Sequence, residues 1–270
     1  MYYLETNVII ALANALNNKK IREMSSTSAY SVLELISGLN RKNFSRKKGP
    51  VDKLIRSGIP IEWIMPEEKV CNSFSEISFE EERINDLKSI FMLLNQCSSY
   101  EELEFEIRQH KIQYDLGYFS SYDQIWRNNF VRATIKGNKE IARIISEDQS
   151  QVNILQDFDK NIQLNNSLTV YAFAQQLSRK LEMGVREVYE SYNGQSSIFI
   201  GAFSSYGIAK MVNKQFPAKN DIFDLTHMLY LNSGNKVMVS NDRIYKSFVG
   251  KISGFELVNN TDYIEKLSNL

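Results

Sequence analysis

Between Lys219 and Tyr245 the chain reads KNDIFDLTHMLYLNSGNKVMVSNDRIY, an acid-bearing amphipathic segment, a short loop, an apolar run, and an acid just after it. Ile222, Leu225, Met228, Leu229 and Leu231 or Asn232 recur at helical spacing, Asn220 or Asp221 is placed to cap the helix, and Gly234 stands where it stops. Asp221 and Asp224 then share one face near the helix's positive end. Lys236–Val239 is β-branched and apolar at strand length, and Ser240-Asn241-Asp242 follows as a turn cluster. Such a strand suits an open α/β sheet, whose ligands bind at the carboxyl ends of strands, where Asp242 is expected.

The amino terminus repeats the arrangement. Tyr2-Tyr3-Leu4 predicts a short strand ending in Glu5-Thr6-Asn7, followed by a helical run over Val8–Leu16. Ser28 or Ser31 can cap a helix carrying Val32, Leu35, Ile36 and Leu39, with Glu34 among them. A carboxylate on so apolar a helix needs a donor or a cation if it is buried, and a metal ion would serve. After a loop containing Gly49-Pro50 and a short helix, Ile59–Ile64 predicts the second strand of a parallel sheet, with Trp63 packing on it.

From Glu67 to about Gln215 the signals are almost all helical, and no proline occurs from Glu67 through Phe216. Ile84, Leu87, Ile90, Phe91 and Leu94 form one stripe, and Ile141, Ile144, Ile145, Val152 and Leu155 form another. Leu164–Leu181 and Ile198–Val212 are further helices, the latter interrupted by Gly201 and Gly207. Tyr114, Tyr118, Phe119, Tyr122, Trp126 and Phe130 make an aromatic series beside Arg127, Arg132 and Lys136. It can stack unpaired bases, but its three-to-four spacing favours helix-packing core.

The four pieces YYLETNVII, SAYSVLELISGL, NDIFDLTHMLYL and KVMVSNDR resemble, in order and chemistry, the four acidic motifs of PIN-domain nucleases. The resemblance covers about residues 1–66 and 216–270. It implies a discontinuous α/β domain over those ranges, a PIN-like three-layer fold with a central parallel sheet, with a large all-α insertion over 67–215. It implies a metal-dependent hydrolase of phosphodiester bonds, an endoribonuclease above all, using Mg²⁺ or Mn²⁺. Glu5, Glu34, Asp224 and Asp242 would be its catalytic, metal-binding acids, with Asp221 a further candidate ligand or a helix cap. Asn7 and Asn241 would orient ligands or water, and Ser240 would contact phosphate. RNA is expected over DNA as the nucleic-acid partner, and a homodimer and an inhibitory protein partner are further expectations of the resemblance.

Position 5 departs from the family pattern, with Glu where Asp is usual. The longer side chain can ligate a shifted metal, can weaken or silence the site, or can be an engineered conservative change. The competing expectation is a catalytically silent PIN-like scaffold that binds nucleic acid or a protein through the helical insertion.

Clustered carboxylates suit this chemistry, because Mg²⁺ and Mn²⁺ are hard ions that prefer oxygen ligands. With only His110 and His227 in the chain, a histidine-based zinc site is not expected. No Walker loop, GxSxG elbow or GxGxxG motif occurs. The 32 basic and 32 acidic side chains cancel, so net charge argues neither for nor against nucleic acid. Arg41, Lys42, Arg46, Lys47, Lys48, Lys53 and Arg56, however, crowd one segment opposed only by Asp52. That segment can meet phosphates or be a solvated face.

Hydrophobic residues at 43% and charged residues at 24% are ordinary for a globular chain of 270 residues, enough for one large domain or two smaller ones. Cys71 and Cys97, without CxxC spacing, suggest a reducing compartment. Val8–Leu12 is too short for a signal core or a membrane span, so the expected location is the cytoplasm, with no membrane partner.

Overall fold

The computed structural model describes residues 1–75, 81–147, 162–213, 215–231 and 236–268. Five short strands form one parallel sheet: β1 (Tyr2–Leu4), β2 (Ser25–Ser28), β3 (Ile61–Glu62), β4 (Val237–Val239) and β5 (Leu257–Val258), in the order β3-β2-β1-β4-β5. Leu4 lies opposite Val239, so the residues that follow them, Glu5 and Ser240, leave the sheet side by side. The strand order runs outward from β1 in both directions. The gap beyond the ends of β1 and β4 is therefore the switch point at which an open sheet binds ligands.

The helices of the amino-terminal part are α1 (Thr6–Ala11), α2 (Lys19–Met24), α3 (Ala29–Ile36) and α4 (Phe44–Ser57). Those between β3 and the last acidic segment are α5 (Pro66–Asn72), α6 (Glu81–Gln96), α7 (Tyr100–Gln109), α8 (Leu116–Glu147), α9 (Ile162–Leu181), α10 (Val185–Glu190) and α11 (Ser197–Val212). Then come α12 (Asp221–His227), which runs into a 3-10 turn at Met228–Tyr230, α13 (Arg243–Lys246) and α14 (Asn260–Ser268). Tyr3, Leu4 and Val239 of the sheet belong to the same hydrophobic cluster as Leu87, Ile90 and Leu94 of α6 and Phe119 of α8. The helices between β3 and α12 thus share the sheet's core.

Four expectations need correction. Ser25–Ser28 is a strand, so Ile59–Ile64 supplies the third rather than the second, and only Ile61–Glu62 of it pairs. β2 is wholly buried although it has no apolar residue. Most of its hydroxyls bond internally: Ser25 to the Tyr263 hydroxyl at 2.5 Å, Thr27 to the Leu4 carbonyl at 2.8 Å, and Ser28 to the Tyr3 hydroxyl at 2.7 Å. Gly49 and Pro50 lie inside α4 rather than in a loop. An interior proline costs roughly 3 kcal/mol; burial of Phe44, Val51 and Leu54 along one face opposes that cost. Helix α11 runs unbroken through Gly201 and Gly207, and the run after β1 is helical only from Thr6 to Ala11.

Trp63 packs edge-to-face on Phe91, with ring centroids 5.8 Å apart. Ser28 caps α3 by accepting from the Ser31 amide. Ile141, Ile144 and Ile145 lie on α8, whereas Val152, Leu155, Asn232 and Gly234 fall outside the described residues. Among the described residues no helix is long and apolar enough to cross a membrane.

Candidate active site

A cleft of about 470 Å³ opens over the carboxyl ends of β1 and β4, with Asn7, Glu34, Asp224 and Asp242 in its wall. Each comes from a different element. Asn7 lies on α1, immediately after β1; Glu34 lies on α3; Asp224 on α12; and Asp242 is the residue before α13. The Asn7 side-chain amide donates to Asp242 at 3.0 Å, while the Asp242 backbone N–H donates to the Ser240 hydroxyl at 3.0 Å.

Glu5 lies beneath this surface, 2% exposed. One of its oxygens accepts from the Ser240 hydroxyl at 2.9 Å and the other from the Asn7 amide at 3.1 Å. Burial raises its pKa; His227, Ser240 and Asn7 oppose that shift and Asp242 adds to it. Ser240, itself fully buried, is thus held between Glu5 and Asp242 rather than turned towards a ligand.

Glu34 accepts from the Thr6 hydroxyl and lies 2.8 Å from His227 Nε2. The other ring nitrogen, Nδ1, lies 2.7 Å from the Tyr3 hydroxyl. Burial pulls the His227 imidazole down, but Glu34, Glu5 and Asp224 outweigh it and hold its pKa above the usual value. Asp224 is pushed up to about 7, first by burial and then by Asp242, Glu5 and Glu34, with His227 opposing. Four carboxylates this close repel one another, and a proton or a cation relieves them.

Two cations stand over the acids. Arg127 of α8 lies 3.6 Å from the Phe223 ring centre and donates to Asn220 at 2.5 Å and to Asp123 at 3.2 Å. Asp123 also accepts from Ser37 at 3.2 Å, and burial raises its pKa. Lys47 of α4 donates to the backbone carbonyls of Ser37 and Glu34, and burial lowers its pKa. Of the basic segment, only Lys47 lines the cleft. Arg41 pairs with Glu101 at 2.7 Å, Lys48 with Asp52 at 3.1 Å, and Lys42 and Arg46 are solvent-exposed.

Asp221 is neither in the cleft wall nor the cap. It is the first residue of α12, behind Asn220, and accepts from Tyr206 at 2.5 Å with Lys210 at 3.6 Å. The Asn241 side chain accepts from the Asn260 amide at 3.2 Å and so secures the start of α14.

Comparison with protein-family models, with curated proteins and with solved structures gives no match. What the cleft can do therefore rests on its own chemistry. Glu34, Asp224 and Asp242 offer hard oxygen donors of the kind Mg²⁺ and Mn²⁺ take, and the raised pKa of Asp224 marks a place where added positive charge is favourable. Among the described residues, no group of three or more Asp, Glu, His or Cys side chains is spaced to hold a metal ion, so these acids line the cleft without forming a ligand set.

Asp123, Arg127 and Lys47 are wall residues outside the four acidic motifs, and His227 is a support residue within the third. Asp123 and Arg127 carry one sequence signal: they form an i,i+4 acid–base pair set among aromatic positions that pack inward.

Proposed function

We propose that this protein is a metal-dependent phosphodiesterase acting on nucleic acid, RNA in the first place, at the cleft between β1 and β4. The observation that carries the reading is that Glu34, Asp224 and Asp242, brought in by three elements, line one cleft, with Asp224 pushed up to about 7. It agrees with the four acidic motifs that resemble those of PIN-like nucleases.

Asp224, Asp242 and Glu34 would have to draw together to hold the ion, since they are not spaced as a ligand set without it, and Glu5 would fix the floor through Ser240. When bound, Mg²⁺ or Mn²⁺ supplies a Lewis acid and a water that ionises near neutral pH. Asn7 keeps the Asp242 carboxylate aimed into the cleft, and His227 and Thr6 do the same for Glu34. Arg127 and Lys47 bring positive charge to a site that would otherwise repel phosphate. The guanidinium, stacked on Phe223 and tethered by Asn220, keeps N–H groups to spare for a phosphate oxygen.

The internal engagement of both Glu5 oxygens favours one second reading, a scaffold that binds its partner without hydrolysis.

The test is cleavage of labelled single-stranded RNA and DNA with Mn²⁺, Mg²⁺ or EDTA, comparing the protein with Glu5→Asp and Asp242→Asn. Cleavage abolished by EDTA and by Asp242→Asn supports the nuclease. Cleavage only after Glu5→Asp means that the site is formed but disabled by the longer acid. Silence of all the folded proteins on every substrate leaves the scaffold.

A further inference from the structure

Beside the acidic cleft, α8, α9, α11 and α12 border a second, partly open cavity of about 330 Å³. Its wall is mostly aromatic and aliphatic: Trp126 and Phe130 from α8, Phe173 from α9, Phe199 and Phe203 from α11, and Ile222 from α12. Phe203 is the centre of this wall, with ring centroids 5.5 Å from Phe130, 5.7 Å from Phe173 and 5.8 Å from Phe199. The Trp126 indole N–H is already given to Thr226 at 3.0 Å, so the tryptophan offers the cavity its ring and no donor.

Among the described residues, no charged side chain lines this cavity. A charged ligand would lose its hydration there without a counterion, whereas a neutral one would not. Six polar side chains, Asn129, Thr134, Asn165, Thr169, Gln176 and Ser204, are interspersed in it, and the Thr134 hydroxyl is buried with no hydrogen-bond partner among the described residues. An apolar cavity with a small number of convergent polar groups is the ordinary form of a small-molecule site. Gly207 adds room, since a Cβ built there meets no atom within 4 Å.

We propose that this cavity binds one neutral, largely aromatic small molecule carrying a single hydrogen-bonding group that meets Thr134. The site stands independently of the nuclease reading, yet its position ties the two. Trp126 lines the cavity and the next residue, Arg127, lines the acidic cleft; Ile222 lines the cavity and Phe223 and Asp224 line the cleft. A molecule seated there braces the two helices that carry Arg127 and Asp224.

The test uses N-phenyl-1-naphthylamine, a neutral fluorescent aromatic amine, titrated into the full chain. The expected result is saturable one-to-one binding that raises the melting temperature. Gly207→Leu and Ser204→Leu, which fill the cavity from α11, weaken binding about tenfold or more while circular dichroism keeps its native form. Phe105→Ser, which removes an exposed phenyl group on α7, leaves it unchanged. Should Gly207→Leu fail to fold, Ser204→Leu decides. Unsaturable binding to the wild type, equal affinity in the filled variants, or an equal loss in Phe105→Ser would overturn the proposal.

Discussion

His227 Nε2 lies 2.8 Å from Glu34 Oε2, joining the last turn of α12 to the middle of α3. Through Nδ1 the same ring reaches Tyr3, whose hydroxyl reaches Ser28, so one buried polar chain links α12, α3, β1 and the end of β2. His227, one turn beyond Asp224 on α12, therefore holds a carboxylate of the candidate site. Removing it strands groups on two sides at once. His227→Phe keeps the ring's bulk but should lower unfolding free energy by about 2–4 kcal/mol, read from urea denaturation. Stability equal to wild type would mean that the chain contributes nothing.

Asp224 sets a pH dependence. Its carboxyl is pushed up to about 7 in the folded protein, above its unfolded value of roughly 4. The folded state therefore binds this proton more tightly, and the associated stability is present at low pH and lost as pH rises through 7. The raised His227 acts in the same sense, its stabilisation disappearing as pH climbs through its folded pKa. In EDTA, Asp224→Asn should gain on wild type between pH 4 and 8 by about 2–4 kcal/mol. Thermal melts of both proteins across that range read the difference, and a flat one refutes the shift.

Divalent cations should reverse part of that loss. Calorimetric titration with Mn²⁺ at about pH 7 should show binding with proton release, since a half-protonated Asp224 must ionise to become a ligand. The enthalpy would then vary with the ionisation heat of the buffer. Asp224→Asn should abolish the proton release, and Asp242→Asn should weaken binding while the release remains. Equal heats in all buffers would remove Asp224 from the ligand set.

Arg127 should act on the nucleic acid rather than on the metal. Arg127→Gln is expected to weaken binding of a labelled single-stranded RNA in EDTA. Its dependence on log salt should fall in steepness by about 0.7 for the one lost phosphate contact, with Mn²⁺ binding unchanged. An unaltered salt slope would return Arg127 to a structural part, pinning Asn220 and Asp123.

The strands that carry acids were legible because they join an apolar run to a polar turn, as in Tyr2-Tyr3-Leu4-Glu5 and Val237–Asp242. β2 was not, because its burial depends on partners for its hydroxyls that lie far along the chain, Tyr263 among them. The aromatic series on α8 does pack as its spacing predicts: Phe119 and Phe130 are buried, and Tyr122 stacks on Trp126 with centroids 6.4 Å apart. Of the basic segment, Lys47 lines the cleft, while Arg41 and Lys48 are paired with Glu101 and Asp52 and Lys42 and Arg46 are exposed, a division that composition alone does not contain.

Local sequence by itself determined that strands end beside Glu5 and Ser240 and that helices start after Ser28 and Asn220, because caps, apolar periods and turn chemistry act over a few residues. It thereby marked Glu5, Glu34, Asp224 and Asp242 as acids at element ends or on a buried face. Only the tertiary structure decided their ranks, sinking Glu5 under Ser240, giving Asp221 to Tyr206, and leaving Glu34, Asp224 and Asp242 in the wall. It also brought Asp123 and Arg127 across from α8. Burial and carboxylate repulsion depend on neighbours that meet only when distant segments pack, and no window of sequence contains them.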